Sequence, residues 1–159
     1  KRITKMQHGG SKDFGFAKIT MVFADHSSTS TGPNNIQITG GLACGYIIEI
    51  PDHRYTLYFA GATGMFSDMK LLDRLYKPNL AFVPIGSVFV MGPKEAAYSV
   101  VNYLPTPEVI VPMYFSHFKE LTGTVAEFKK ECKKMGMSGK MIIHPEEFLG
   151  GKSIKGENT

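Results

Sequence analysis

The amino-acid sequence predicts an α/β domain, and three observations support this class. Short segments rich in β-branched and aromatic residues alternate with amphipathic helical segments through the second half of the chain. Loops that contain glycine or proline follow the predicted strands there, as is typical of α/β folds. With 159 residues, of which 43% are hydrophobic and 20% charged, the chain is long enough to build one sizeable core.

The first half of the chain is predicted to begin with strands. Residues 17–23 have the composition of a strand, and the polar residues 25–35 that follow predict a long loop. Residues 44–50 and 55–59 are β-branched or aromatic, and the sequence PDHR at 51–54 between them suits a tight turn. These two segments therefore predict a β-hairpin.

A short helix is predicted next, over residues 67–76. Ser67 is positioned to cap it, and its apolar side would carry Met69, Leu71, Leu72 and Leu75. The remaining elements, in chain order, are a strand at 80–83, a helix at 93–103, a strand at 109–111, a helix at 125–135 and a strand at 140–143. Pro93 supports a helix that begins at residue 93, because proline is common in the first turn of a helix.

Composition excludes several classes of protein. No apolar run approaches the roughly 20 residues of a membrane-spanning helix, so we expect no membrane association. Apolar residues recur throughout and the net charge is only +4, which argues against disorder. The excess lysines lie at the chain ends and on one predicted helix, so they predict solvated faces, and nucleic acid is not an expected partner.

The cysteines and the chain start bear on compartment and domain organisation. Cys44 and Cys132 form no CxxC pair, so we expect two buried thiols in a reducing compartment. The cytoplasm is the expected location, or the mitochondrion if a targeting segment precedes Lys1, which is not a methionine. With no internal repeat or linker apparent, we predict one domain over residues 1–149 and a flexible tail over 150–159.

Three loops that follow different predicted strands are the best candidates for a site. They comprise residues 25–28, 61–69 and 112–118, and strand ends are where α/β folds place their chemistry. His26 lies in the first loop, where it is either a hydrogen-bonded structural histidine or a metal ligand. The residues by themselves predict an α/β domain with a site at its strand ends.

A resemblance to a known family extends this prediction. Segments 61–69, 80–86, 89–97 and 111–113, together with the run HGG at 8–10, resemble the metal-dependent hydrolases of the metallo-β-lactamase superfamily. The branch that these segments most resemble is a small one similar to the ascorbate-6-phosphate lactonases. The resemblance implies an αββα sandwich of two similar halves with one or two metal ions at its edge. The HxHxDH motif of the first half is missing from this chain, so we expect the chain to be the second half.

The resemblance also implies where metal ligands would lie. The family's histidine, bridging aspartate and second histidine correspond to His26, Ala62 and Tyr114. Ala62 has no donor atom, and a tyrosine phenol stays protonated near neutral pH and is a poor zinc ligand. His26 would complete a three-histidine site for a single zinc, or another divalent metal, if a missing segment supplied two histidines. His117 is a weaker candidate ligand; the alternative is an exposed loop histidine.

Other residues of the matching motifs are implied to be scaffold. Thr63 and Gly86 are expected to shape the turns, and Asp68 is expected to cap or brace the turn before the helix, although a solvent-facing role is equally open. Ser87 and Val88 stand where similar proteins carry polar residues, which implies a less polar substrate wall. The remaining histidines, His53 and His144, are expected to be ordinary surface residues.

Two functions remain open on this basis. The first is a pseudo-enzyme with impaired or lost hydrolytic activity and a structural or scaffolding role, without metal. The second is a single-zinc hydrolase that acts on a lactone, an ester or a phosphoester. In either case half a sandwich exposes an apolar face, so we expect as partner the missing first half, another polypeptide, a second copy or a larger assembly. Four residues are candidates for that contact: Phe14, Phe16, Ile36 and Ile38.

Overall fold

The structure of the protein, a computed structural model, describes residues 3–148. Its strands are β1 (Ser11–Asp13), β2 (Lys18–Phe23), β3 (Thr29–Thr31), β4 (Gln37–Thr39), β5 (Cys44–Ile50), β6 (Tyr55–Phe59), β7 (Leu80–Pro84), β8 (Val109–Met113) and β9 (Met141–Ile142). Its helices are α1 (Met69–Tyr76), α2 (Pro93–Asn102), α3 (Val125–Lys134) and α4 (Pro145–Phe148). The predicted tail at 150–159 lies outside the described residues.

Seven of the strands form one mixed sheet in the order β1-β2-β5-β6-β7-β8-β9. The pairs from β1 to β6 are antiparallel, and those from β6 to β9 are parallel. Parallel neighbours need a crossover, and α1, α2 and α3 supply the three that are required. The predicted α/β class is therefore confirmed. Because β2, β6, β7 and β8 run in the same direction, their carboxyl ends meet at one edge of the sheet.

The core lies between the helices and one face of this sheet. Alternate strand residues such as Ile47, Tyr58 and Ile110 are fully buried there. They pack with helix residues, among them Val100 and Phe128, in a single cluster. None of the helices in the described part of the chain has the length and apolar character needed to cross a membrane.

The opposite face of the sheet is also apolar but is less covered. Ile48 and Leu57 alternate with the core residues along β5 and β6, and both remain half-exposed. On the same face Phe82 contacts Phe148 of α4 edge to face, with 5.6 Å between ring centroids. The described residues therefore leave part of this apolar face accessible to solvent.

The predicted long loop at 25–35 is wrong in part. It contains β3, which pairs with β4 in a separate two-stranded sheet, with Ser30 opposite Ile38. The polar residues 28–31 predicted a loop, but threonine also favours strands, and β3 is exposed along its whole length. Ile36 and Ile38, proposed above as contact residues, are 60% and 49% exposed.

Helix α1 differs from its prediction at both its start and its buried side. It begins at Met69, and the Ser67 hydroxyl donates to the Asp68 carboxylate and does not cap the helix. Leu75 was assigned to the apolar side of the helix but is 72% exposed. Asp73 was not assigned to that side, yet it is only 2% exposed. The Asp73 carboxylate is buried because it accepts hydrogen bonds from the backbone N–H and the hydroxyl of Thr106.

The two cysteines should differ in reactivity. Cys132 is fully buried, and burial raises the pKa of its thiol to about 11. Cys44, expected to be buried, is only half-buried. Since the thiolate is the nucleophile, a chromogenic disulfide reagent at about pH 8 should modify Cys44 in the folded protein and Cys132 only after denaturation. Two rapidly reacting thiols in the folded protein would contradict the burial of Cys132.

Candidate functional site

The candidate site lies where four strands end at one edge of the sheet. The loops after β2, β6, β7 and β8 leave this edge, so residues distant in sequence come together there. This arrangement confirms the expectation that segments 25–28, 61–69 and 112–118 meet at a common edge. The loop after β7, at 85–91, joins them.

Thr63 links three of these loops. Its side chain is fully buried, and its hydroxyl oxygen accepts a hydrogen bond of 2.9 Å from the Asp25 N–H and donates one of 2.8 Å to the Gly64 carbonyl. The Gly64 N–H donates to the Asp25 carbonyl, and the Met91 N–H donates to the Thr63 carbonyl. Thr63 therefore fixes the His26 loop and the 85–91 loop relative to each other.

His26 follows directly from this anchored backbone. The ring is half-buried, and its Nδ1 lies 2.6 Å from the carbonyl oxygen of Ser27. A carbonyl can only accept, so this hydrogen bond requires a proton on Nδ1 and leaves Nε2 as the other ring nitrogen. In metal-binding histidines, a hydrogen bond from the second ring nitrogen orients the ring in this way.

A cleft of about 380 Å³ opens beside His26. It is lined by Asp25, His26, Ser27, Gly64, Val88, Phe89 and Val90. Ser87 and Val88 hold φ angles of 67° and 56°, and for a β-branched residue such as Val88 this left-handed conformation costs about 1 to 2 kcal/mol. The hydrogen bond from the Ser87 N–H to the Met91 carbonyl closes the turn that holds this strain.

Gly86 permits the close approach of the loops after β7 and β8. A Cβ atom at Gly86 would overlap the carbonyl oxygen of Tyr114 and would lie 2.9 Å from Leu121 Cδ2. The Gly86 carbonyl also accepts a hydrogen bond from the Gly123 N–H at 3.1 Å. Because Gly86 has no side chain, the backbone segments at Gly86, Tyr114 and Gly123 can pack closely together.

Tyr114 and His117 line a different cavity from His26. This larger, mainly aromatic groove of about 1020 Å³ runs from the end of β8 along the less covered face of the sheet. Tyr114 is 44% exposed, and the exposed His117 ring packs against Phe118. The structure therefore brings Tyr114 and His117 together but places neither in the His26 cleft.

His144, which was expected to be an ordinary surface residue, has a 34% exposed side chain and lines the larger groove. It is half-buried in the larger groove, where its ring packs against Phe115 and its Nδ1 faces the N–H of Glu146. His53 lies exposed in the hairpin turn, as expected. The position of His144 depends on the turn into α4, which no local motif indicates.

Asp68 and Ala62 are not among the residues that line the His26 cleft. Asp68 is exposed at the N-cap of α1, yet its carboxylate caps no backbone N–H, so the expected capping is wrong and the solvent-facing alternative describes it better. Ala62 sits half-buried between Gly61 and Thr63 in the turn after β6. Phe89, Val90 and Met91 belong to a segment that carries the family resemblance, but the sequence did not predict that Phe89 and Val90 would lie beside His26.

The described residues provide only part of the ligand set that a metal ion at His26 would need. Among residues 3–148, no three His, Cys, Asp or Glu side chains come together as a metal-binding group. His26 nevertheless lines a cleft of ligand size, and its Nδ1 contact with the Ser27 carbonyl leaves Nε2 as one potential ligand. The described residues can thus contribute a ligand and a binding wall, with further ligands supplied from elsewhere.

Comparisons with known proteins identify the relatives of this chain. A relative named UPF0173 metal-dependent hydrolase, from Koribacter versatilis, is 41% identical over 130 residues, which cover 82% of this chain and 54% of the relative. A second protein of that name, from Methanopyrus kandleri, is 38% identical over 143 residues, covering 90% of this chain and 60% of the relative. The chain therefore spans little more than half the length of these relatives.

Solved structures agree with the fold. Igni18, described as a novel metallo hydrolase from Ignicoccus hospitalis, matches with a TM-score of 0.69 at 26% identity, over 89% of this chain and 57% of that one. The metallo-β-lactamase fold protein YhfI from Bacillus subtilis matches with a TM-score of 0.59 at 16% identity, over 87% and 51%. The family model of the β-lactamase superfamily domain matches residues 1–115. The chain has the predicted metallo-β-lactamase fold and belongs to the β-lactamase superfamily.

Proposed function

We propose that this chain forms part of a metal-dependent hydrolase in which His26 supplies one ligand to a single divalent metal, such as zinc. The observation that carries the proposal is the hydrogen bond from His26 Nδ1 to the Ser27 carbonyl, which engages one ring nitrogen of a histidine that lines the cleft and leaves Nε2 to act as the ligand. The names of the Koribacter and Methanopyrus relatives support the same activity. When bound, such a metal lowers the pKa of a water molecule so that hydroxide attacks a carbonyl or phosphoryl centre.

The chain's own residues would hold and orient the reacting groups. Ser27 fixes the tautomer of His26, Thr63 fixes the loop that carries it, and the 85–91 loop forms the opposite wall. The substrate class is a lactone, an ester or a phosphoester, the lactone being favoured by the resemblance to the ascorbate-6-phosphate lactonases. The free thiols of Cys44 and Cys132 favour the cytoplasm as the place of action.

The rest of the site would come from a second polypeptide segment. The less covered face of the sheet is apolar and half-exposed at Ile48 and Leu57, and the relatives are longer than this chain. We propose that the first half of the sandwich packs on this face and supplies the remaining ligands. A second copy or a larger assembly in the same place is the alternative.

A catalytically silent scaffold is the second candidate function. It is favoured by Ala62, which has no donor atom in the turn after β6, and by the position of Tyr114 outside the His26 cleft. A silent protein would keep the partner but bind no metal. The two candidates therefore differ in a quantity that can be measured directly.

Metal content separates these candidates. The chain should be co-expressed with the part of the Koribacter versatilis relative that lies outside the match, and the purified complex analysed by elemental mass spectrometry. For a hydrolase we expect about one divalent metal ion per complex, lost in His26→Ala. His53→Ala, which removes an exposed histidine in the hairpin turn, is the matched control and should keep the metal.

Two results would count against the hydrolase. A complex that forms but holds no metal would support the scaffold. Metal retained in His26→Ala would show that His26 is not a ligand and would remove the main support for the proposed site.

A further inference from the structure

The ribbon of β3 and β4 stands apart from the main sheet. It forms a two-stranded sheet of its own, and every residue of its two strands is exposed. A two-stranded ribbon is only marginally stable in water unless another surface covers one of its faces. The ribbon therefore needs a surface against which to pack.

The two faces of this ribbon differ in polarity. Cross-strand pairing places Ile38 opposite Ser30, and the Gly32 N–H donates to the Ile36 carbonyl at 2.8 Å, so both isoleucines lie on the same face. The strand residues of the opposite face are all threonine or glutamine. The isoleucine face is thus the one that would gain free energy from being covered.

The cleft beside His26 has an exposed apolar side of its own. Val88, Phe89 and Val90 form this apolar side, opposite the polar residues at 25–27. Val88 and Phe89 are 70% and 54% exposed. The turn that gives Val88 its left-handed backbone holds these side chains outward, where an apolar surface can meet them.

The ribbon is attached at the rim of this cleft. Ser27 lines the cleft, and at the next residue the Ser28 carbonyl accepts a hydrogen bond of 2.8 Å from the Gly40 N–H, at the other end of the ribbon. Gly41 follows with a φ of +96°, and a Cβ there would meet no atom within 4 Å other than its chain neighbours. A glycine in open space can absorb a change of backbone angles, so the ribbon can turn as a unit about this base.

The dimensions of the ribbon and the cleft match. A compact volume of 380 Å³ is about 9 Å across. Ile36 lies four residues from Gly40 along an extended strand, a distance of about 13 Å. The isoleucine face is therefore long enough to reach from the polar rim of the cleft to its apolar side.

We infer that the β3–β4 ribbon is a lid that closes over the His26 cleft by packing Ile36 and Ile38 against Val88 and Phe89. Closing removes these four apolar side chains from water, which favours the closed position. It also excludes water from the cleft and retains a bound molecule beside the imidazole. The inference goes beyond the function proposed above, because the closing movement requires no metal.

Paramagnetic relaxation enhancement measures this movement in the chain itself. A nitroxide label is attached at Thr31→Cys, on the polar face of the ribbon, in a Cys44→Ser background in which the buried Cys132 stays unlabelled. The readout is the broadening of the amide signals of residues 88–90 beyond that expected from the open position. We expect Ile38→Ser to reduce this excess broadening about fivefold, because the closed position loses the apolar contact of the isoleucine.

Matched variants locate the contact. Val88→Asn removes apolar surface from the other side of the contact and should give a similar reduction, since asparagine tolerates the left-handed backbone. Leu42→Ser removes a leucine that is 70% exposed, like Val88, but lies beyond Gly41 and outside the ribbon. It should leave the excess broadening unchanged. The amide spectra report whether each variant is folded.

Four outcomes would overturn the inference. The first three are no excess broadening at 88–90, no reduction in Ile38→Ser, and an equal reduction in Leu42→Ser. The fourth comes from mixing equal amounts of ¹⁵N-labelled chain without the nitroxide and unlabelled chain with it, since excess broadening at 88–90 in this mixture would show that a second copy covers the ribbon.

The lid and the proposed hydrolase can fail separately. A ribbon that closes in the chain, together with a co-expressed complex that holds no metal, would refute the hydrolase and leave the lid standing. A complex that loses its metal in His26→Ala, together with a ribbon that never approaches residues 88–90, would refute the lid and leave the hydrolase standing.

Discussion

Gly86→Ala is expected to destabilise the domain by about 3 kcal/mol. The new methyl group would overlap the carbonyl oxygen of Tyr114 and press against the Leu121 side chain, so the loops after β7 and β8 would have to separate. Backbone atoms cannot move away as a flexible side chain can, which puts the expected loss at the upper end of the range for overpacking. Urea denaturation followed by circular dichroism measures it, since the chain contains no tryptophan.

Gly136→Ala provides the control for this substitution. Gly136 has a φ of +77°, and a Cβ there would have no neighbour within 4 Å. Its replacement therefore carries only the conformational cost of the left-handed backbone, about 1 kcal/mol. Equal losses for the two variants would mean that the contact between Gly86 and Tyr114 does not limit the packing of the loops.

Thr63→Val is expected to cost about 2 kcal/mol and to loosen the loop that carries His26. Valine has nearly the same shape as threonine, but it removes the acceptor for the Asp25 N–H and the donor to the Gly64 carbonyl. Thr63 is fully buried, so water cannot readily replace both bonds. The measurement is the free energy of unfolding together with the hydrogen exchange rate of the Asp25 amide, which should rise in the variant.

Thr20→Val makes the same chemical change at another buried position. The Thr20 hydroxyl pairs with the hydroxyl of Ser11, which is exposed and can turn to water when its partner is lost. We therefore expect a loss below about 1 kcal/mol and unchanged exchange at Asp25. If Thr63→Val left the Asp25 amide as protected as in the unchanged protein, the linking role of Thr63 would be wrong.

The fold could be predicted from the sequence where local pattern and tertiary packing agree. The hairpin of β5 and β6 and the alternation from β7 to β9 are confirmed because β-branched runs and turn residues mark them directly. The buried side of α1 could not be predicted in this way. Leucines on that helix were assigned to the core, but Asp73 takes the buried place because Thr106, 33 residues away, satisfies its carboxylate.

The candidate site could be predicted only in its location. The common edge followed from strand ends, and His26 followed from its place after β2. The apolar side of the cleft depends on left-handed backbone at Ser87 and Val88, for which neither residue type is a signal. The assignment of His26 as a metal ligand, and of Ala62 and Tyr114 as replaced ligands, remains a prediction.

The hydrogen bonds of Thr63 also constrain when this cleft can form during folding. Asp25 and Thr63 lie 38 residues apart in the chain, and Met91, which also bonds to Thr63, lies further on. Because closing long loops costs entropy, we expect these contacts to form after the strands between them have paired. A chain still being synthesised, or one cut before Met91, would contain His26 without the opposite wall of its cleft. Incomplete chains would therefore lack the complete cleft even though they carry the histidine.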